Sequence, residues 1–156
     1  MSAGTHRWNN FSANFNTSLK RSWSLSGDIS CCDFHDGQAV QASLFLSYRP
    51  DETWEIIPGM ATAFIDLPTG SVSIYVPDLR VNLNFSPDMT IQSQVQFDNL
   101  SNTFSGSVRY RWEYLPGSEF FAALGENAQV SERLLNPHYA SQTTQAVVRI
   151  GHTFRY

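Results

Sequence analysis

Apolar residues recur at every second position through most of this 156-residue chain. That period matches the two faces of a pleated strand and not the 3.6-residue repeat of an amphipathic helix. The clearest stretch sets Phe104, Val108, Tyr110, Trp112 and Tyr114 against Ser105, Ser107, Arg109, Arg111 and Glu113. Just before it, Ile91, Val95 and Phe97 alternate with Thr90, Gln92, Gln94, Gln96 and Asp98. The same pattern runs through Phe11, Ala13, Phe15 and Leu19, then Trp23 to Ile29, then Val40 to Tyr48 with Phe45 as an intruder. It returns in Ala146, Val148, Ile150, His152, Phe154 and Tyr156, set against Gln145, Arg149, Thr153 and Arg155.

Three segments read less cleanly. From Trp54 to Asp66, Trp54, Ile56, Met60 and Phe64 share a face while Ile57 and Ile65 fall on the other, and Pro58-Gly59 signals a local irregularity. Val72, Ile74 and Val76 occupy even positions, but Leu79, Val81, Leu83 and Phe85 occupy odd ones. That change of phase predicts a β-bulge at Pro77-Asp78. Glu119 to Leu124 reads as a short eighth strand before a long loop, 127–142, in which Val130 to Leu135 is the one competing helical pattern. The result is an all-β prediction: an antiparallel up-and-down meander of about nine strands in a single domain, 1–156, with a disordered start, 1–6. Its register places Phe97 opposite Phe104 and Tyr114 opposite Phe120.

Composition narrows the setting. No run approaches the roughly 18 to 20 apolar residues of a transmembrane helix, and mean hydropathy is slightly negative. A membrane barrel gives the same average, because lipid-facing and lumen-facing residues cancel. The ten Lys and Arg are scattered, which argues against a nucleic-acid partner. Met1 to His6 lacks the basic start and apolar core of a secretory signal, so export, on this reading, depends on upstream sequence. Adjacent Cys31 and Cys32 are expected as two unpaired thiols.

The large aromatics separate a membrane sheet from a soluble one. Connections at Lys20-Arg21, Pro50 to Glu52, Ser86 to Asp88 and Leu115 to Ser118 read as tight, whereas those at Asp33 to Gly37 and Asn127 to Gln142 read as longer. Trp23, Tyr48, Trp54, Phe85, Trp112, Tyr114 and Phe120 all lie near the tight set, on the apolar side. Such a belt fits an aromatic girdle at a lipid–water boundary. Arg80, Arg109, Arg111, Glu113, Arg149 and Arg155 share the opposite face and are expected to line a wet lumen, where burial in a dry core would be costly. The alternative is a soluble β-sandwich or lipocalin-like ligand-binding module, which must bury Trp23, Trp54 and Trp112 inside.

Val148, Ile150, His152, Phe154 and Tyr156, alternating to an aromatic C-terminus, resemble the terminal signal that the barrel-assembly machinery reads in bacterial outer-membrane proteins. His152 departs from the apolar residue usual at that place. More of the chain, from about Ser26 onward and above all QFDNLSNTFSGSVRYRWEYLPGSE (96–119), resembles the C-terminal barrel of long Gram-negative outer-membrane proteins. Those proteins carry an N-terminal domain similar to family-9 carbohydrate-binding modules. The resemblance implies an outer-membrane location and a barrel that anchors the binding module and passes solute. It also implies three partners: the lipid bilayer, the assembly machinery and upstream strands of a parent barrel. It implies no cofactor, and the hydrolase label given to some members belongs upstream of these residues.

Local chemistry is sparse. Asp33, His35 and Asp36 make an incomplete ligand set and read as a solvated loop, so no metal site is expected. His152 on the outward face raises a membrane hydrolase, but no serine motif accompanies it and no catalytic residue is assigned. Arg109 and Arg111 either attract anions or pair with Glu113, Asp98 or Glu55.

Overall fold

The computed structural model describes residues 9–34, 36–131 and 138–153. Nine strands run in sequence order: β1 (Asn10–Asn16), β2 (Trp23–Phe34), β3 (Gly37–Tyr48), β4 (Trp54–Leu67) and β5 (Gly70–Ser86). They continue as β6 (Met89–Asp98), β7 (Thr103–Leu115), β8 (Ser118–Ser131) and β9 (His138–His152). Each pairs antiparallel with the next, giving one sheet of order β1-β2-β3-β4-β5-β6-β7-β8-β9, and no helix occurs among the described residues. The sheet is open, with β1 and β9 at its edges and contacts only between consecutive strands.

This sheet is a single layer. Among the described residues, the buried apolar ones are Ala39 and Ala128, and no large side chain is fully buried. The accessible surface of 11858 Å² is about half again the roughly 7,900 Å² expected for a globular chain of 17.6 kDa. No hydrophobic core therefore holds the strands together. Continuous backbone ladders do, and they place one residue set on each face.

Cross-strand pairs show the two sets. On one face lie Trp23↔Tyr48, Leu25↔Leu46, Leu83↔Ile91, Leu79↔Val95, Val108↔Leu124 and Phe120↔Ile150. Arg80↔Gln94, Gln92↔Arg109, Gln96↔Ser105 and Asp28↔Ser43 lie on the other. Phe97 faces Phe104 as expected.

Several local expectations are corrected. No bulge occurs at Pro77-Asp78: β4 and β5 keep one register from Trp54↔Leu83 to Leu67↔Gly70. Val72, Ile74 and Val76 consequently join Ala61, Ala63 and Ile65 as an apolar island on the polar face. Pro77 is tolerated because β6 begins pairing only at Asp78, so no ladder bond is asked of its missing N–H. A bulge lies instead between Glu113 and Leu115, which removes Tyr114 from the ladder and sets Trp112, not Tyr114, opposite Phe120. Strands β8 and β9 extend through 127–131 and 138–142, so most of the expected loop is sheet. Cys31 and Cys32 are joined in a disulfide rather than left as free thiols, although successive strand residues ordinarily point to opposite faces.

At Pro58-Gly59 the expected irregularity is present, because the β3–β4 ladder passes from Phe45↔Gly59 to Tyr48↔Ile56 without pairing the residues between. The Phe45 ring lies over Gly59, where a Cβ would sit 2.3 Å from Phe45 Cδ1. The ring thus covers a backbone that has no side chain of its own. Gly59→Ala is expected to cost about 1–3 kcal/mol through overpacking. Measured by chemical unfolding, Gly59→Ala combined with Phe45→Ala should cost less than the sum of the two single changes; strict additivity would mean the ring and the glycine do not interact.

Candidate functional site

The apolar face carries two rows of aromatics. At the end formed by connections 17–22, 49–53, 87–88 and 116–117 stand Trp23, Tyr48, Trp54, Phe85, Trp112, Tyr114 and Phe120. Trp23 stacks on Tyr48 with ring centroids 4.0 Å apart, Trp112 lies 5.8 Å from Tyr114, and Phe120 lies 5.9 Å from Tyr110. Trp23, Trp54 and Trp112 are 54%, 44% and 44% exposed, so none is enclosed. The opposite end, where connections 68–69 and 99–102 lie, has a second row that the sequence reading did not assemble. It contains Phe11, Phe64, Tyr75, Phe97 and Phe104, with Phe64 edge-on to Tyr75 at 5.6 Å. Beyond this row the same face turns polar, in the cross-strand series Asp33↔Gln38↔Asp66↔Ser71. Connection lengths do not distinguish the two ends.

Arg80, Arg109, Arg111, Glu113 and Arg149 share the polar face; Arg155, with Phe154 and Tyr156, lies outside the described residues. Arg111 donates to Glu119 at 2.7 Å and approaches Glu113 at 3.7 Å, and Arg149 meets Glu119 at 3.4 Å. Glu119, unremarked in the sequence, is thus shared by two arginines, from β7 and β9. Glu55 is held by Arg49, whose Nε donates to it at 2.7 Å, and by Asn82 Nδ2 at 2.9 Å. Asp98 instead caps the 99–102 turn, accepting from the Leu100 N–H at 2.8 Å and the Ser101 hydroxyl at 3.0 Å. Asp78 accepts from Gln94 at 2.8 Å and from Arg80 Nε at 3.4 Å. Arg109 has neither ion pair nor side-chain hydrogen bond among the described residues. The expected pairing with Glu113 therefore applies to Arg111 and not to Arg109.

Val148, Ile150 and His152 follow one another on the apolar face of β9, opposite Ala122, Phe120 and Ser118. Ser118 Oγ shares a hydrogen bond with His152 Nδ1 at 2.6 Å. A serine and histidine in contact invite a hydrolase reading, yet Ser118 is only 3% exposed and its oxygen has no open approach for an ester. Its neighbours indicate a tether. The Thr153 N–H donates to the Gly117 carbonyl at 2.7 Å, and the Gly117 N–H donates to Glu113 Oε1 at 2.9 Å. Together these bonds tie the end of β9 to the β7–β8 turn. Asp33, weighed as a metal ligand, accepts the Asn9 N–H at 2.6 Å, and His35 lies outside the described residues.

No family model matches this chain, and neither a curated protein nor a solved structure does. Ser118→Ala is expected to cost about 1 kcal/mol, the usual net worth of one hydrogen bond. Amide exchange at 151–153 should accelerate while the centres of β6 and β7 stay protected. Unchanged exchange at 151–153 would remove the tether.

Proposed function

We propose that this chain is a stretch of a transmembrane β-barrel in a Gram-negative outer membrane, serving as a membrane anchor with a polar, solute-accessible interior. One observation carries the reading: an apolar face, interrupted by Glu126 and Thr144 on β8 and β9, spans nine strands with no protein layer over it among the described residues, while the reverse face is polar apart from the island around Ala63 and Ile74. Lipid covers such a surface without demanding hydrogen bonds, and the antiparallel ladders satisfy the backbone within the sheet.

The dimensions support it. Trp112 and Phe104 stand eight residues apart and Trp54 and Phe64 ten. At about 3.4 Å per residue this is roughly 27–34 Å along a strand. A tilt near 40° reduces it to about 21–26 Å, close to the roughly 25 Å apolar band of outer-membrane barrels. From β2 onward the strands span 10 to 17 residues, longer than the usual five or six of soluble sheets. On this reading the resembled family supplies the upstream strands and binding domain, and the barrel-assembly machinery is the partner of β9.

A pair of neighbouring substitutions tests the sidedness. Val108 and Ser107 are consecutive, mid-strand and on opposite faces. Val108→Arg is expected to cost about 2–4 kcal/mol for folding into lipid vesicles, and Ser107→Arg less than about 1 kcal/mol. Equal costs, or a wild-type chain that folds as a monodisperse species in plain buffer, would replace the barrel with the soluble sandwich or lipocalin-like module.

A further inference from the structure

We propose that the polar face holds a binding site for a small oxyanion, a phosphate or carboxylate group, between Arg80 and Arg109. As a lumenal site it rests on the barrel reading; as a site on this face it does not.

The cross-strand rows bring its parts together. Asn82, Gln92 and Arg109 form one row over β5, β6 and β7, and Arg80, Gln94 and Ser107 form the next. These six side chains border a cavity of about 210 Å³, room for an anion of a few heavy atoms. Arg80 and Arg109 stand two strand spacings apart, roughly 10 Å across the sheet, a gap that two extended guanidinium side chains can close from either side.

What distinguishes this place is the state of the nearby carboxylates. Glu55 is already held by Arg49 and Asn82, and Asp78 by Gln94 and Arg80. Each amide donates to its acid, and neither carboxylate pairs with Arg109; both bonds to Asp78 fall on Oδ2, and its buried Oδ1 has no partner among the described residues. Three cations, Arg49, Arg80 and Arg109, thus stand against two anions, leaving one positive charge in the group. Arg80 touches Asp78 through Nε alone, and its guanidinium carbon lies 5.5 Å from the centre of the Phe45 ring. Its terminal N–H groups make no hydrogen bond among the described residues. Gln92 and Ser107 have no side-chain hydrogen bonds among the described residues, so their donors remain uncommitted. A planar or tetrahedral oxyanion matches two guanidinium forks flanked by an amide and a hydroxyl. Arg111 and Arg149 make the internal control, because Glu119, bonded to both, and Glu113, 3.7 Å from Arg111, together balance their charge.

The test follows arginine Nε–Hε resonances of the whole chain, folded in detergent, during titration with inorganic phosphate and separately with acetate, each against sodium chloride at equal ionic strength. Arg109 and Arg80 are expected to shift saturably while Arg111 and Arg149 stay in place. The two probes separate a phosphate from a carboxylate preference, and either supports the site. Arg109→Gln should weaken binding about tenfold or more, the usual worth of a charge-assisted hydrogen bond. Arg111→Gln should change it less than about twofold. Arg109→Lys, which keeps the charge and loses the fork, should fall between wild type and Arg109→Gln. Shifts shared by all four arginines and growing without saturation, or full binding by Arg109→Gln, would overturn the site. A chain that folds without detergent refutes the barrel alone, since the same titration in buffer still decides the site.

Discussion

An apolar sheet face with no protein above it governs everything else in this molecule. A soluble domain removes such a face from water with a second layer, at about 25 cal/mol per Å² of apolar surface. Here Trp23, Leu44, Val108 and Ile150 remain between 46% and 70% exposed, and the strands contact only their sequence neighbours. With no core to stabilise packing, specificity passes to register. Because side chains alternate with a period of two, a one-residue slip of any strand would turn its apolar set to the polar face. The in-register runs of β4–β5 and β6–β7 show how tightly that is held.

Two of the three register shifts sit beside turns, and the third, between Asn127 and Ala128, lies within β8–β9. The bulges at Asn84/Ser86 and Glu113/Leu115 lie beside the 87–88 and 116–117 turns, where an unpaired residue reaches solvent and the strand can bend. Gly117, at φ 79°, supplies the left-handed residue that closes the second of these turns, and the Glu113 carboxylate accepts its N–H. Pro58 and Pro77 occupy gaps in one ladder each while the opposite side stays paired. In the proposed bilayer setting this matters doubly, since an unpaired backbone group in hydrocarbon costs several kcal/mol.

Sequence made the strands legible wherever one face was apolar and the other polar, as in Gln92 to Phe97 and Phe104 to Trp112. It lost them where that contrast vanishes. From Gly125 to Ser131 and from His138 to Gln145 the residues are largely polar at both parities, even inside the second aromatic row, where Glu126 pairs with Thr144 on the otherwise apolar side, so periodicity gave no sign of sheet there. The phase change in β5 misled for a related reason. A bulge is the cheapest way to keep one apolar face continuous, but the structure instead accepts Val72, Ile74 and Val76 on the polar side beside Ala61, Ala63 and Ile65. Side-chain partners were the least legible. Glu119 with Arg111 and Arg149, and Ser118 with His152, meet only after register has been fixed, and sequence spacing does not encode a cross-strand neighbour 30 or 34 residues away.

The edges carry the last consequence of this architecture. Consecutive strands alternate in direction, so β1 and β9 run the same way. Joining them would make a parallel seam of 7 residues against 15, leaving the remainder of β9 without backbone partners. An odd number of additional antiparallel strands would make every seam antiparallel and the total even, as in single-chain bacterial barrels. Exposed edges of this length also pair indiscriminately in water. In the proposed barrel, additional strands would give the open edge of β9 backbone partners while Val148 and Ile150 face lipid.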